Sequence, residues 1–320
     1  MRAQSCDMRY RLWVFGVFAL FLSGCAEAVT TEGGKPLVVT TTGMIRDLVE
    51  HIGGDSVEVH ALMGPGVDPH LYKATQGDLR QLQAADIIFY NGVHLEGKMG
   101  VVFEKLARLK TVVAVSDGMD PARLLRDPSF IGAVDPHIWF DVSLWASGID
   151  GVTETLASAF PANAGYFRAN ARSYYRELMA LHDWVGVEIR SIPASKRILI
   201  TAHDAFNYFG RAYGIEVRGL QGISTLSEFG LKDRVDLVNF IVKRKINAVF
   251  VETSVSSRNI NSIVEGCRQK GHEVIIGGNL YSDAMGEAGT PEGNYIGMVQ
   301  ANVRSIVEAL SGVSKAEAAQ

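Results

Sequence analysis

The longest regular pattern along the chain is an apolar stripe near its middle. Phe167, Ala171, Tyr174, Leu178, Leu181 and Val185 recur at steps of four and three, which keeps them on one helical face. Arg168, Arg172, Arg176, Glu177 and Glu188 mark the wet face. Pro161 suits a first helical turn, where a missing N–H costs nothing, and Ser191-Ile192-Pro193 stops the run, because a residue before proline avoids helical dihedrals. The pattern predicts a helix over 161–192, roughly 45 Å long at about 1.5 Å per residue. Strand and helix patterns precede it and begin afresh after it. The helix is therefore read as a strut with a globular lobe at each end.

Before the strut, apolar runs at 37–41, 57–63, 86–90 and 111–115 read as strands, with helices at 44–52, 75–84 and 98–109. An irregular segment, 116–136, leads to a helix capped by Asp141 and running to Leu156. After the strut, strands are predicted at 197–201, 215–218, 248–251 and 273–276. Helices at 205–213, 232–245, 258–270 and 294–310 separate or follow them. Four short apolar strands in each half, separated by helices, predict an α/β protein of two parallel-sheet (βα)4 lobes, 37–160 and 193–311.

Composition changes this picture at the N-terminus. Arg2, Arg9 and Arg11 precede an almost wholly apolar run, 12–22, too short to cross a bilayer comfortably. Residues 1–24 are expected to be a secretory leader, 25–36 a tether and 312–320 a tail. Leu22-Ser23-Gly24-Cys25 resembles the lipobox of bacterial lipoproteins, in which the cysteine carries lipid. The mature protein is then extracytoplasmic, anchored to a bacterial membrane through Cys25. Once the leader and Cys25 are set aside, Cys267 alone remains of the three cysteines. An internal disulfide is then impossible, and Cys267 reads as a small core residue. A formal net charge of −4 without a basic stripe argues against nucleic acid as a partner.

The candidate chemistry lies at strand ends. Asp-Pro-His occurs twice, as Asp68-Pro69-His70 and Asp135-Pro136-His137, and the proline stiffens the loop that presents each histidine. His203 follows the predicted strand 197–201, and Asp283 follows 273–276 after a short loop. In open parallel sheets the carboxyl edge of the strands is where ligands bind. Three imidazoles and one carboxylate suit a zinc or manganese ion. The set would also close the coordination sphere, and the chain has no His-Glu-x-x-His, so a hydrolytic site is not indicated. Glu252, at a strand's carboxyl end, is a candidate acceptor for a ligand histidine. Asp68 and Asp135 are expected to orient neighbouring backbone. His51, His60, His182 and His272 read as ordinary structural histidines; His94 is expected near the cleft but outside the ligand set.

Taken together, Asp68-Pro-His-Leu-Tyr72, Ala85-Asp-Ile-Ile-Phe-Tyr-Asn-Gly92, Asp135-Pro-His-Ile-Trp139, Thr201-Ala-His-Asp-Ala-Phe206 and Leu280-Tyr-Ser-Asp283 are similar to motifs of the TroA-like (cluster A-I) metal-binding lipoproteins. These proteins feed zinc and manganese to bacterial ABC importers. The resemblance covers 37–310 and implies two lobes joined by one long rigid helix, with metal bound in the cleft between them. It implies His70, His137, His203 and Asp283 as ligands, and an ABC permease with its ATPase as partners. Many zinc-dedicated members carry a histidine-rich loop before the second ligand, whereas 116–136 has no histidine. A third histidine, where some manganese members have glutamate, points the other way. Both metals stay open. The protein is expected to be a monomer and not an enzyme, with modest lobe movement on metal release and local shifts in loops such as 277–290. A surface adhesin with a stabilising metal and a secreted metalloenzyme are the alternatives.

Overall fold

The computed structural model describes residues 34–126, 132–227 and 229–312. The expected leader, Cys25 and most of the expected tether and tail lie outside them. The first half runs β1 (Leu37–Thr40), α1 (Gly43–Gly53), β2 (Glu58–Ala61), α2 (Gln76–Ala84), β3 (Ile87–Tyr90), α3 (Gly100–Leu106) and β4 (Thr111–Ala114). Its four strands form one parallel sheet in the order β2-β1-β3-β4. β1 and β3 at its centre are nearly all buried, as strands covered on both faces must be.

The helix predicted from Asp141 to Leu156 is two helices, α4 (Val142–Ser147) and α5 (Ile149–Ala159). Asp141 does cap the first, its side chain accepting from Leu144 N at 3.1 Å. The break falls at Gly148, where an added Cβ would stand 2.9 Å from Val115 Cγ1 and 3.1 Å from Met119 Cε. A glycine there lets the helix corner approach the segment that follows β4.

α6 (Ala164–Ser191) follows a 3-10 turn at Pro161–Asn163 and ends before Pro193. All six stripe residues are buried, together with Gly186 and Ile189. The stripe packs against α1, α4 and α5 of the first half and also against helices of the second. It belongs to a single apolar core that runs from Val38 to Leu310. The strut is thus a spine laid along both halves.

The second half comprises β5 (Ile198–His203), α7 (Asn207–Tyr213), β6 (Glu216–Gln221), α8 (Leu231–Arg244), β7 (Ala248–Glu252), α9 (Arg258–Gln269), β8 (Ile275–Leu280) and α10 (Tyr295–Ser311). Its strands form two parallel pairs, β5-β6 and β7-β8, which lie side by side over a second core. β5 reaches His203 itself, and β8 extends to Leu280, so residues 277–280 of the expected mobile loop are strand. Cys267 is buried in the second core as a free thiol.

Candidate metal centre

Four chain segments converge where the carboxyl ends of the strands in the two halves meet. His70 comes from the loop after β2, and His137 from the segment leading into α4. His203 is the last residue of β5, and Asp283 follows β8 by three residues. One ligand atom from each lies within 4.8 Å of every other. His70 Nε2 and His203 Nε2 stand 3.2 and 3.3 Å from His137 Nε2. Asp283 Oδ1 is 3.4 Å from His137 Nε2, and its Oδ2 is 3.4 Å from His203 Nε2. For metal–nitrogen bonds of about 2.0–2.1 Å, the edge of a coordination tetrahedron is roughly 3.3–3.4 Å. The two spacings between histidine nitrogens fit that edge, and each oxygen of Asp283 stands at a like distance from one of two histidines.

The rings are aimed by their other nitrogens. Asp135 Oδ1 accepts both from His137 N, at 3.0 Å, and from the ring Nδ1, at 2.8 Å. Glu252 accepts from His203 N at 2.9 Å and makes a short contact with its Nδ1. In each case the carboxylate fixes a proton on Nδ1 and turns Nε2 inward, the orientation common to metal-bound histidines. Asp68 and Asp135 each accept from the backbone N–H of their own histidine.

Burial sets the electrostatics. His70, His137, His203 and Asp283 are at most 3% exposed. Loss of water lowers the His70 pKa to about 3, so its imidazole is neutral over the physiological range. Burial pushes the other two imidazoles the same way, but the charge of Asp135 raises His137 and that of Glu252 raises His203 well above the ordinary range. Desolvation would raise Asp283; the His203 and His137 side chains outweigh it and hold the carboxyl well below its ordinary value. Asp283 Oδ1 is nevertheless buried without a hydrogen-bond partner. An anionic oxygen left so, facing three inward nitrogens, suits a cation.

Several contributors were not singled out from sequence. Trp139 Nε1 donates to Ser282 O at 3.0 Å, tying the His137 segment to the residue before Asp283. Tyr208 Oη donates to Asp135 O at 2.8 Å, and Asn91 Nδ2 donates to Pro136 O at 2.9 Å. Ser254 Oγ reaches Asp283 Oδ2 at 3.3 Å. Trp139 and Asn91 lie inside motifs named above, which was a usable signal; Tyr208 and Ser254 carried none. His94 is exposed, at φ +65°, and is not among the four.

Comparison with known proteins points the same way. The family described as zinc-uptake complex component A, periplasmic (ZnuA) matches residues 38–309. The manganese-binding lipoprotein MntA of Bacillus subtilis (strain 168) is 48% identical over 307 residues, spanning 95% of this chain and all of that one. The zinc-binding protein TroA of Treponema pallidum (strain Nichols) is 49% identical over 298 residues, 92% of this chain and 96% of that one. The solved structure of the periplasmic zinc-binding protein TroA from Treponema pallidum superposes with a TM-score of 0.85 at 48% identity, covering 87% of this chain and all of that one.

Proposed function

The chain belongs to the zinc-uptake complex component A family, and we propose from that premise that it captures a divalent zinc or manganese ion outside the cytoplasm and delivers it to an ABC permease. The ligands in this reading are His70, His137, His203 and Asp283. The observation that carries it is the unpartnered buried oxygen of Asp283 among three imidazoles whose Nε2 atoms point inward. The metal is cargo. Four protein ligands fill a tetrahedral sphere and leave no position for an activated water, which sets the site apart from a hydrolytic zinc centre. Hard carboxylate and borderline imidazole donors accept either ion.

The anchor and partners follow from the same reading. The leader pattern ending in Cys25 supports lipid attachment there, and the Bacillus subtilis relative is itself named a lipoprotein. A monomer so tethered hands its ion to the permease, while the ATPase of the importer drives translocation. Labelling with a radioactive fatty acid, present in the wild type and lost in Cys25→Ser, tests the anchor.

Capture is tested by the unfolding midpoint of the metal-stripped protein, titrated with zinc and manganese in separate experiments. Binding to the native state alone stabilises by about 2.7 kcal/mol at a hundredfold excess over Kd. A shift that vanishes in His203→Ala and Asp283→Ala is the expected result. The ion effective at the lower concentration is the preferred cargo. No shift with either ion removes the proposal.

A further inference from the structure

Metal capture as proposed above also requires that the His70 loop be held in place, and the structure holds it differently from the other ligands. His137 and His203 each have a carboxylate against ring and backbone. His70 is presented by the loop between β2 and α2, and there Asp68 Oδ1 accepts from the backbone N–H groups of His70, at 2.8 Å, and Leu71, at 3.4 Å. The second oxygen of Asp68 turns away from that loop. It accepts from Thr225 Oγ1 at 2.7 Å, a residue 157 positions later in the second half.

Thr225 is itself fixed from below. Gln221 Nε2 donates to the carbonyls of Thr225 and, at 2.9 Å, Ser227. Gln221 ends β6, where it is in register with His203. A continuous set of hydrogen bonds therefore runs from the His203 strand through Gln221, Thr225 and Asp68 to the backbone of His70. Two other contacts between the halves are deep. Trp139 and Tyr208 are fully buried where they meet Ser282 and Asp135. At the Thr225 bond, by contrast, the adjoining Leu71 and Leu226 are 45% and 53% exposed.

We infer that Thr225 is a positioning residue for metal retention: its hydroxyl, acting through Asp68 across the two halves, holds His70 in the ligand set. Breaking this bond frees the loop that carries His70, while Asp135 still holds His137, Glu252 still holds His203 and Ser254 still meets Asp283. The ion then keeps three of its four ligands and an open side. The contact governs how fast metal leaves, because only the loaded arrangement needs His70 seated.

The test is the release rate of zinc and of manganese into excess chelator by stopped flow, for wild type, Thr225→Val and Thr225→Ser. Valine keeps the shape and removes the donor; serine keeps the donor. Thr225→Val is expected to release metal at least about tenfold faster, the lower end of the effect of removing a group that supports a metal ligand. Thr225→Ser should stay near the wild-type rate, and the metal-free unfolding midpoint of Thr225→Val should match wild type. Wild-type release from Thr225→Val overturns the inference, as does equally fast release from Thr225→Ser or a lowered metal-free midpoint in Thr225→Val. A wild type that takes up neither ion overturns the capture reading itself.

Discussion

Glu252 accepts both the backbone N–H and the ring Nδ1 of His203, one carboxylate oxygen to each. A strand end and a side chain are thereby locked to the same group on the neighbouring strand. Replacement by glutamine keeps the size but puts an amide donor against one of two N–H groups. We expect Glu252→Gln to weaken metal affinity by about 10–100-fold. Competition with a chelator of known affinity measures it, and an unchanged Kd would show that the carboxylate does not tune His203.

In the proposed site, protons and metal compete for the same nitrogens. Asp135 and Glu252 raise His137 and His203, against the effect of burial, so these rings hold protons in the metal-free protein more strongly than free imidazole does. A raised pKa means that the stabilisation from these charged pairs is present at low pH and disappears as pH climbs through the folded-state value. Metal must displace the protons, so apparent affinity should rise with pH, and binding should release protons. Calorimetry in buffers of different ionisation enthalpy reads the number directly. A binding enthalpy independent of buffer contradicts the expectation.

His51 offers a pH effect away from the metal. Its ring stacks on Tyr174 with centroids 3.9 Å apart, and Nδ1 lies 2.8 Å from Asp47 O. Burial opposes the charge, but the Asp47 side chain outweighs it and lifts the pKa from 6.5 to about 9. The stabilisation is complete below pH 6.5 and is lost as pH rises through about 9. The difference in unfolding midpoint between wild type and His51→Gln should therefore be widest in acid and close in alkali. A constant difference across that window rules the charge out.

Leu178 lies fully buried halfway along α6. Leu178→Ala should cost about 2–5 kcal/mol in chemical denaturation, from lost transfer energy and the cavity left behind. A loss under about 1 kcal/mol would mean that the core around it collapses to fill the space.

The sequence was most legible where one physical constraint dominates. A stripe repeating every three or four residues has few uses other than burial, and all six positions of α6 proved buried. Alternating short apolar runs and helices led to parallel sheets, and both Asp-Pro-His motifs ended at one place. Contacts between distant segments were not legible. The two tripeptides are identical, yet Asp135 bonds the ring of His137 while Asp68 sends its second oxygen to Thr225. Local backbone geometry explains the shared bond to the histidine N–H; the difference depends on what packs opposite. Gly148 was unreadable for the same reason. Its φ of −74° is ordinary for a helix, and only the nearness of Val115 and Met119 makes a side chain costly there.

The single apolar core along α6 has a consequence for the protein's lifetime. Its members run from Val38 through the helix to Leu310, so the halves share an interior along α6 besides the smaller core that each keeps for itself. Loss of structure in one half strips cover from the α6 face of the other, which couples the unfolding of the two. An ion bound at the proposed site therefore protects both halves against that shared loss. Each delivery removes that protection at a stroke, and the emptied protein's exposure to proteases is governed by how soon it is refilled.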